Sequence, residues 1–261
     1  MKTLFTTKQA LAFSLISLSL LSCSDHENDL IVEPVPIEKK LNKIEVDADN
    51  YQEFKYVNGM LTELIEVADE GLMRSRITYD NAKKPIAVEN QDGKVQFSYS
   101  GDRLVKEDLS YTDSEIFSYN QYVYQGEQIK EVTGYGLVEK DKPYYRKKLF
   151  YNQKGDVERV EVYDLTEGNA LELSVKINYE YDNKINPYVT TVGSYLALFT
   201  HSYSKHNIIK EVTTNEQGTV NQTITTTYTY DRAGYPVTAI EKTVENGGNP
   251  VVVNKKFTYL P

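Results

Sequence analysis

Residues 228–240 read Tyr228-Thr-Tyr230-Asp231-Arg-Ala-Gly234-Tyr-Pro-Val237-Thr-Ala-Ile240. Positions i and i+2 of a strand share a face, so Tyr228 and Tyr230 stand together while Thr229 faces the other way. Asp231 and Gly234 occupy the first and fourth positions of a type I turn. There a short acidic side chain caps backbone N–H groups and glycine relieves strain. Val237 and Ile240 then begin a returning strand. Thirteen residues thus spell one β-hairpin.

The same signature recurs along the chain. A tyrosine preceded two places earlier by an apolar or aromatic residue appears at Phe54/Tyr56, Ile77/Tyr79, Phe97/Tyr99, Tyr122/Tyr124 and Leu149/Tyr151. It continues at Tyr179/Tyr181, His201/Tyr203, Tyr228/Tyr230 and Phe257/Tyr259. These nine anchors are spaced 20 to 30 residues apart, a period that marks a repeat architecture. Turn residues follow them: Val57-Asn58-Gly59, Ser100-Gly101, Gln125-Gly126 and Asn152-Gln-Lys-Gly155. Asp80-Asn-Ala-Lys83 and Asp182-Asn-Lys are degenerate forms, and Gly247-Gly248 marks a further hairpin turn.

Return strands carry Leu61 and Leu64, Ile86 and Val88, Leu104 and Val105, Ile129 and Val132. Later ones carry Val157 and Val160, Ile209 and Val212, Val237 and Ile240. A three-residue spacing breaks strict alternation, and a bulge just after the turn would restore the facing. The expected fold is all-β: an antiparallel meander of about 16–18 short strands in hairpin repeats. A sheet of that width curls or closes, so the meander is expected to be strongly curved or partly closed into a barrel.

Composition agrees. The 261 residues include 22 Tyr, 8 Phe and no Trp. Tyrosine suits positions that are half apolar and half wet, and β-branched residues with Tyr favour pleated surfaces. The formal net charge is −9. Loss of residues 1–22, which hold Lys2 and Lys8 and no acid, takes it to −11. So acidic a chain repels nucleic acid and anionic surfaces. Arg146-Lys147-Lys148 is too small a cluster to reverse this and reads as a solvated strand end.

The amino terminus carries an address. Lys2 and Lys8 precede the apolar run Ala10–Leu21, too short to span a bilayer permanently. Leu20-Leu21-Ser22-Cys23 resembles the bacterial lipobox, which implies cleavage before Cys23 and lipidation of its thiol. Residues 1–22 are the expected signal peptide and 23–42 a lipidated tether. The tether's acids (Asp25, Glu27, Asp29) and its prolines (Pro34, Pro36) keep it solvated and extended. Residues 43–261 form the expected single β-repeat domain. Ser24 after the cysteine resembles outer-membrane sorting, with the domain on the cell surface or facing the periplasm.

Tyr230-Asp231-Arg-Ala-Gly234 with its apolar return strand resembles the YD (tyrosine-aspartate) repeat of RHS-type and teneurin-type proteins. Those repeats coil into cargo-enclosing β-shells. Only Tyr79, Tyr181 and Tyr230 are followed by Asp here, and the chain is too short to enclose a protein. The layout over residues 50–261 is more similar to uncharacterised Gram-negative lipoproteins for which a porin-like fold has been proposed.

Catalytic motifs are missing. The three histidines are His26, His201 and His206. The last two could hold a metal only with a nearby carboxylate, and surface or half-buried roles are commoner, so no metal or cofactor is expected. Asp47-Ala-Asp49-Asn50 lacks the offsets of a calcium loop. Glu66 with Glu70 and Glu158 with Glu161 read as solvated charge, and no catalytic residue is assigned. A tyrosine ladder would line a groove for sugars or peptides, or simply be the apolar stripe of the sheet. The leading expectation is a non-enzymatic binding or envelope-scaffold module anchored to the outer membrane through Cys23, with a glycan, peptide or envelope protein as partner. The alternative is a glycan- or peptide-directed hydrolase with an unrecognised carboxylate site. A membrane-spanning barrel is disfavoured, because the non-core faces carry Lys, Glu, Asp and Thr.

Overall fold

The structure, a computed structural model, describes residues 38–68, 71–111, 116–136, 142–192 and 204–260. Cys23, His26 and the anchor His201-Ser-Tyr203 lie outside them. The body is an antiparallel meander of sixteen strands that closes fully. In order they are β1 (Lys40–Glu45), β2 (Tyr51–Val57), β3 (Met60–Ala68), β4 (Gly71–Tyr79), β5 (Pro85–Glu89), β6 (Gly93–Ser100), β7 (Arg103–Tyr111) and β8 (Ile116–Gln125). Then come β9 (Gln128–Gly136), β10 (Pro143–Tyr151), β11 (Val157–Leu165), β12 (Leu171–Ile185), β13 (His206–Asn215), β14 (Val220–Tyr230), β15 (Pro236–Glu245) and β16 (Val251–Leu260). A short helix, α1 (Pro187–Val192), leaves β12. Pairing of β1 with β16 completes the ring. The first strand begins at Lys40, three residues inside the stretch assigned to the tether.

Eight anchor tyrosines lie one on each even-numbered strand, at or next to its end except for Tyr181 in β12, and beside each the register slips. At Tyr56, for example, Lys55 pairs with Glu63 but Tyr56 pairs with Leu61, leaving Thr62 bulged. This is the bulge that the three-residue spacing demanded. It also corrects part of the return-strand reading. In four repeats Ile86, Val105, Ile209 and Val237 are the bulged residues, and the rung opposite the tyrosine is Pro85, Leu104, Ile208 and Pro236.

The tyrosines are linked around the ring. Tyr56, Tyr79, Tyr124, Tyr151, Tyr181 and Tyr259 donate to the carbonyls of Leu41, Leu61, Leu104, Ile129, Val157 and Pro236 at 2.5–3.0 Å. Each acceptor is the pairing partner of the preceding tyrosine. Each of these six hydroxyls therefore ties its strand to the previous hairpin, and Tyr56 joins the first repeat to the last.

Turn chemistry follows the sequence. Asn58 and Gly59 both have positive φ, 51° and 78°, as a type I′ hairpin requires. The Asp231 carboxylate accepts from the N–H groups of Ala233 and Tyr235 at 2.9 and 3.0 Å. Asp80 does the same for Ala82 and Lys84, with Lys83 at φ 63° where glycine is expected. Asp182 departs from the pattern: β12 runs on to Ile185 and the carboxylate accepts from Lys184 N–H and Tyr230.

Candidate functional site in the barrel interior

In a closed barrel the face carrying the buried residues is the inside. Phe54, Leu64, Ile77, Val88, Phe97, Tyr122, Val132, Leu149 and Phe257 share it, with the tyrosine rings packed against them. The outer face is another chemistry. Along it run ion pairs: Lys43–Glu45 (3.0 Å), Arg74–Glu63 (3.1 Å), Lys106–Asp108 (2.6 Å), Arg146–Glu131 (3.2 Å) and Lys210–Glu180 (2.7 Å). Outward rings lie beneath cations: Phe150 under Arg159, Tyr119 under Lys106 and Tyr163 under Lys148. Each surface pair stabilises little, but together they make a wetted wall.

The repeats place one inner residue three positions after each tyrosine's rung. It is Ile44, Leu64, Val88, Val132, Val160 and Ala239 in six repeats, and Glu107 and Glu211 in the other two. Register confirms the equivalence: Leu64 pairs with Phe54, Glu107 with Phe97 and Glu211 with Tyr179. Two carboxylates thus occupy apolar core slots. Burial pushes the pKa of both up, and for Glu211 the nearby Glu241 adds to it.

Glu107 is fully buried. Asn120 Nδ2 donates to its Oε2 at 3.1 Å, and Tyr122 donates to the same carboxylate. Tyr145 donates to Asn120 Oδ1 at 2.7 Å, which turns the amide N–H groups toward Glu107. Glu107 Oε1 has no hydrogen-bond partner among the described residues. The Tyr145 ring lies flat over Gly134, where an added Cβ would stand 2.1 Å from its Cε1. Lys147 also points inward, 5.5 Å from the centre of the Tyr145 ring. The run Arg146-Lys147-Lys148 is therefore mid-strand and not a solvated end: alternation sends its outer members out and Lys147 in.

The described residues line two chambers in the interior. One, about 330 Å³, holds Glu107, Asn120, Tyr145, Lys147 and Tyr179. The other, about 520 Å³, holds Glu66, Tyr188, Tyr228, Glu241 and Lys255. Ile208 and Glu211 line both. Here Glu66 is inside, accepting from Gln52 Nε2 at 2.8 Å, which corrects its reading as solvated charge. Lys255 Nζ lies 2.6 Å from Glu241 Oε2. Tyr188 of α1 packs edge-on against Phe54 and donates to Gln52 Oε1 at 3.3 Å.

His206 binds no second histidine among the described residues; its Nδ1 is 2.7 Å from Oδ2 of Asp156. No group of three or more His, Cys, Asp or Glu among the described residues is arranged to hold a metal ion. Asp47 closes the β1–β2 loop by accepting from Asp49 N–H and Asn50 Nδ2. No helix among the described residues is long and apolar enough to cross a membrane.

The class so defined is a closed sixteen-stranded β-barrel with a tyrosine-rich, partly hollow interior. It is similar to solved structures of two porin-like proteins. That from Bacteroides vulgatus is 11% identical, with a TM-score of 0.56, covering 85% of this chain and 99% of that one. That from Bacteroides uniformis is also 11% identical, with a TM-score of 0.57, covering 86% and 97%. At such identity the likeness is one of fold. No protein-family model matches the sequence, and no curated protein matches it.

Proposed function

We propose that the protein is an outer-membrane lipoprotein, anchored through Cys23, whose barrel stands in water and binds a small molecule in its interior without transforming it. The observation that carries this reading is the polarity of the wall. A membrane-spanning barrel needs an apolar outer band and a polar lumen. Here the outer face is laced with ion pairs and the inner face is aromatic and aliphatic around two chambers. A lipid at Cys23 would supply the attachment that such a wall cannot. The porin-like neighbours support a barrel that belongs to the envelope, and the acidic tether supports a domain held off the lipid surface.

Growth with a clickable fatty-acid analogue tests the anchor. The wild-type protein incorporates the label and Cys23→Ala does not, and the mature chain begins at residue 23. A labelled Cys23→Ala protein, or a different mature start, would overturn it.

A second reading, hydrolysis of a glycan or peptide, is favoured by one observation: Glu107 and Glu211 line the same chamber with raised pKa values, a known route to acid–base pairs. Binding is preferred because Glu107 occupies a slot that is apolar in six of the eight described repeats, and Asn120 and Tyr122 already hold its carboxylate. Turnover of chromogenic glycosides or peptides that vanishes in Glu211→Gln would reverse that preference.

A further inference from the structure

Resting on the reading of the interior as a ligand site, we infer that the chamber around Glu107 takes a small amphiphile bearing a primary ammonium group on an apolar body. Three observations converge on this class. The chamber's volume, about 330 Å³, falls within the range of small-molecule sites. Its polar focus is a carboxylate held from one side only. Asn120 and Tyr122 satisfy part of Glu107, and Tyr145 fixes the donor face of Asn120. Oε1 is left without a donor among the described residues. A buried carboxylate oxygen in that condition is costly, and an ammonium N–H answers both its charge and its lone pair.

The lining extends the match. Tyr122, Tyr145 and Tyr179 share the chamber with Glu107, and aromatic faces attract cations. Among the described residues, Glu211 brings a second carboxylate against one cation, Lys147, so the chamber favours a positive guest over an anion. Leu149, Val160 and Ile177 supply an apolar surface for the remainder of the molecule. A neutral alcohol would fit the same shape but would leave Lys147 as the one cation set against Glu107 and Glu211 among the described residues of the chamber.

Calorimetric titration of the purified protein at pH 7.5 with n-octylamine, 1-octanol and octanoate tests this. The inference predicts that octylamine binds at least tenfold tighter than octanol, with octanoate weakest. Glu107→Gln should weaken octylamine by roughly ten- to a hundredfold while changing octanol little. Glu107→Gln removes a buried charge without changing side-chain shape, so it is expected to fold. Equal binding of amine and alcohol, or amine binding indifferent to Glu107→Gln, would overturn the ammonium inference and leave the interior reading standing. Binding of none of the three would overturn both.

Discussion

Nδ1 of His206 lies 2.7 Å from Oδ2 of Asp156, a carboxylate with no exposed surface that also accepts the backbone N–H of Lys205 at 2.9 Å. Asp156 closes the β10–β11 turn, and residues 205–206 open β13. The contact joins segments some fifty residues apart. Beside it Ser204 Oγ accepts from Val157 N–H at 3.0 Å and donates to the Tyr181 hydroxyl at 2.8 Å. Between them these bonds hold the re-entry of the chain after α1 onto the tyrosine end of the wall.

Removing that carboxylate should be expensive. Asp156→Ala orphans the backbone N–H groups of Lys205 and His206 and the imidazole, and the expected loss is roughly 2–3 kcal/mol. Asp156→Asn, which keeps an acceptor, should lose less. Urea unfolding checks both, and equal stability of all three proteins would contradict the assignment.

The tyrosine ring yields a contrast between two identical substitutions. Tyr124→Phe removes a hydroxyl bonded to Leu104 at 3.0 Å and should cost about 0.5–1.5 kcal/mol. The Tyr99 hydroxyl is buried without a hydrogen-bond partner among the described residues, so Tyr99→Phe should be neutral or stabilising. Thermal midpoints of the pair decide it.

Lys83 holds φ 63° at the position where Gly155 and Gly234 hold 86° and 85° in equivalent turns. A non-glycine residue there is strained by about 1–2 kcal/mol, partly offset by the greater unfolded-state freedom of glycine. Lys83→Gly should therefore raise stability by about 0.5–1 kcal/mol in a denaturant titration.

Glu107 gives a pH signature. Its folded-state pKa is raised by burial, with Tyr122 and Asn120 as donors and Lys147 as the facing cation working the other way. For an acid displaced upward, stability is full below the unfolded-state value and declines as pH rises through the folded-state value. Each unit of displacement corresponds to about 1.4 kcal/mol. Glu107→Gln should accordingly be more stable than wild type at pH 7–8 and converge with it near pH 4. Stability that rises with pH in wild type relative to the variant would contradict the burial account.

The fold was legible because its determinants are local. A tyrosine two residues after an apolar partner, an Asp or Asn followed by Gly, and a three-residue return spacing each act within one hairpin, and hairpin registers follow from turns. Curvature toward a barrel was legible from the width of the sheet, but complete closure was not. It depends on β1 meeting β16, a pairing such as Ile44 with Phe257, and nothing near either strand announces it. The interior chemistry was hidden for a different reason. Polar residues in a strand are read as outward, so Lys147 falls within a supposed solvated strand end, and Glu107 and Glu211 attract no reading at all. The signal that would have found two of them was present: aligning the repeats on the rung residue places Glu107 and Glu211 in a column otherwise holding Ile44, Leu64, Val88, Val132, Val160 and Ala239. His206 was seen, but Asp156 was not, since a turn acid fifty residues away carries no sequence mark of its partner.

The run Thr225-Thr226-Thr227 on β14 lets one substitution probe both faces of the wall. Thr225 and Thr227 are exposed and Thr226 is buried. Single cysteines at the three positions, treated in the native protein with a charged maleimide, test which side meets water. The wetted-wall account predicts rapid labelling at 225 and 227 and protection at 226 until denaturant is added. Labelling of 226 with protection of 225 and 227, as a lipid-facing wall around an aqueous lumen would give, would contradict it.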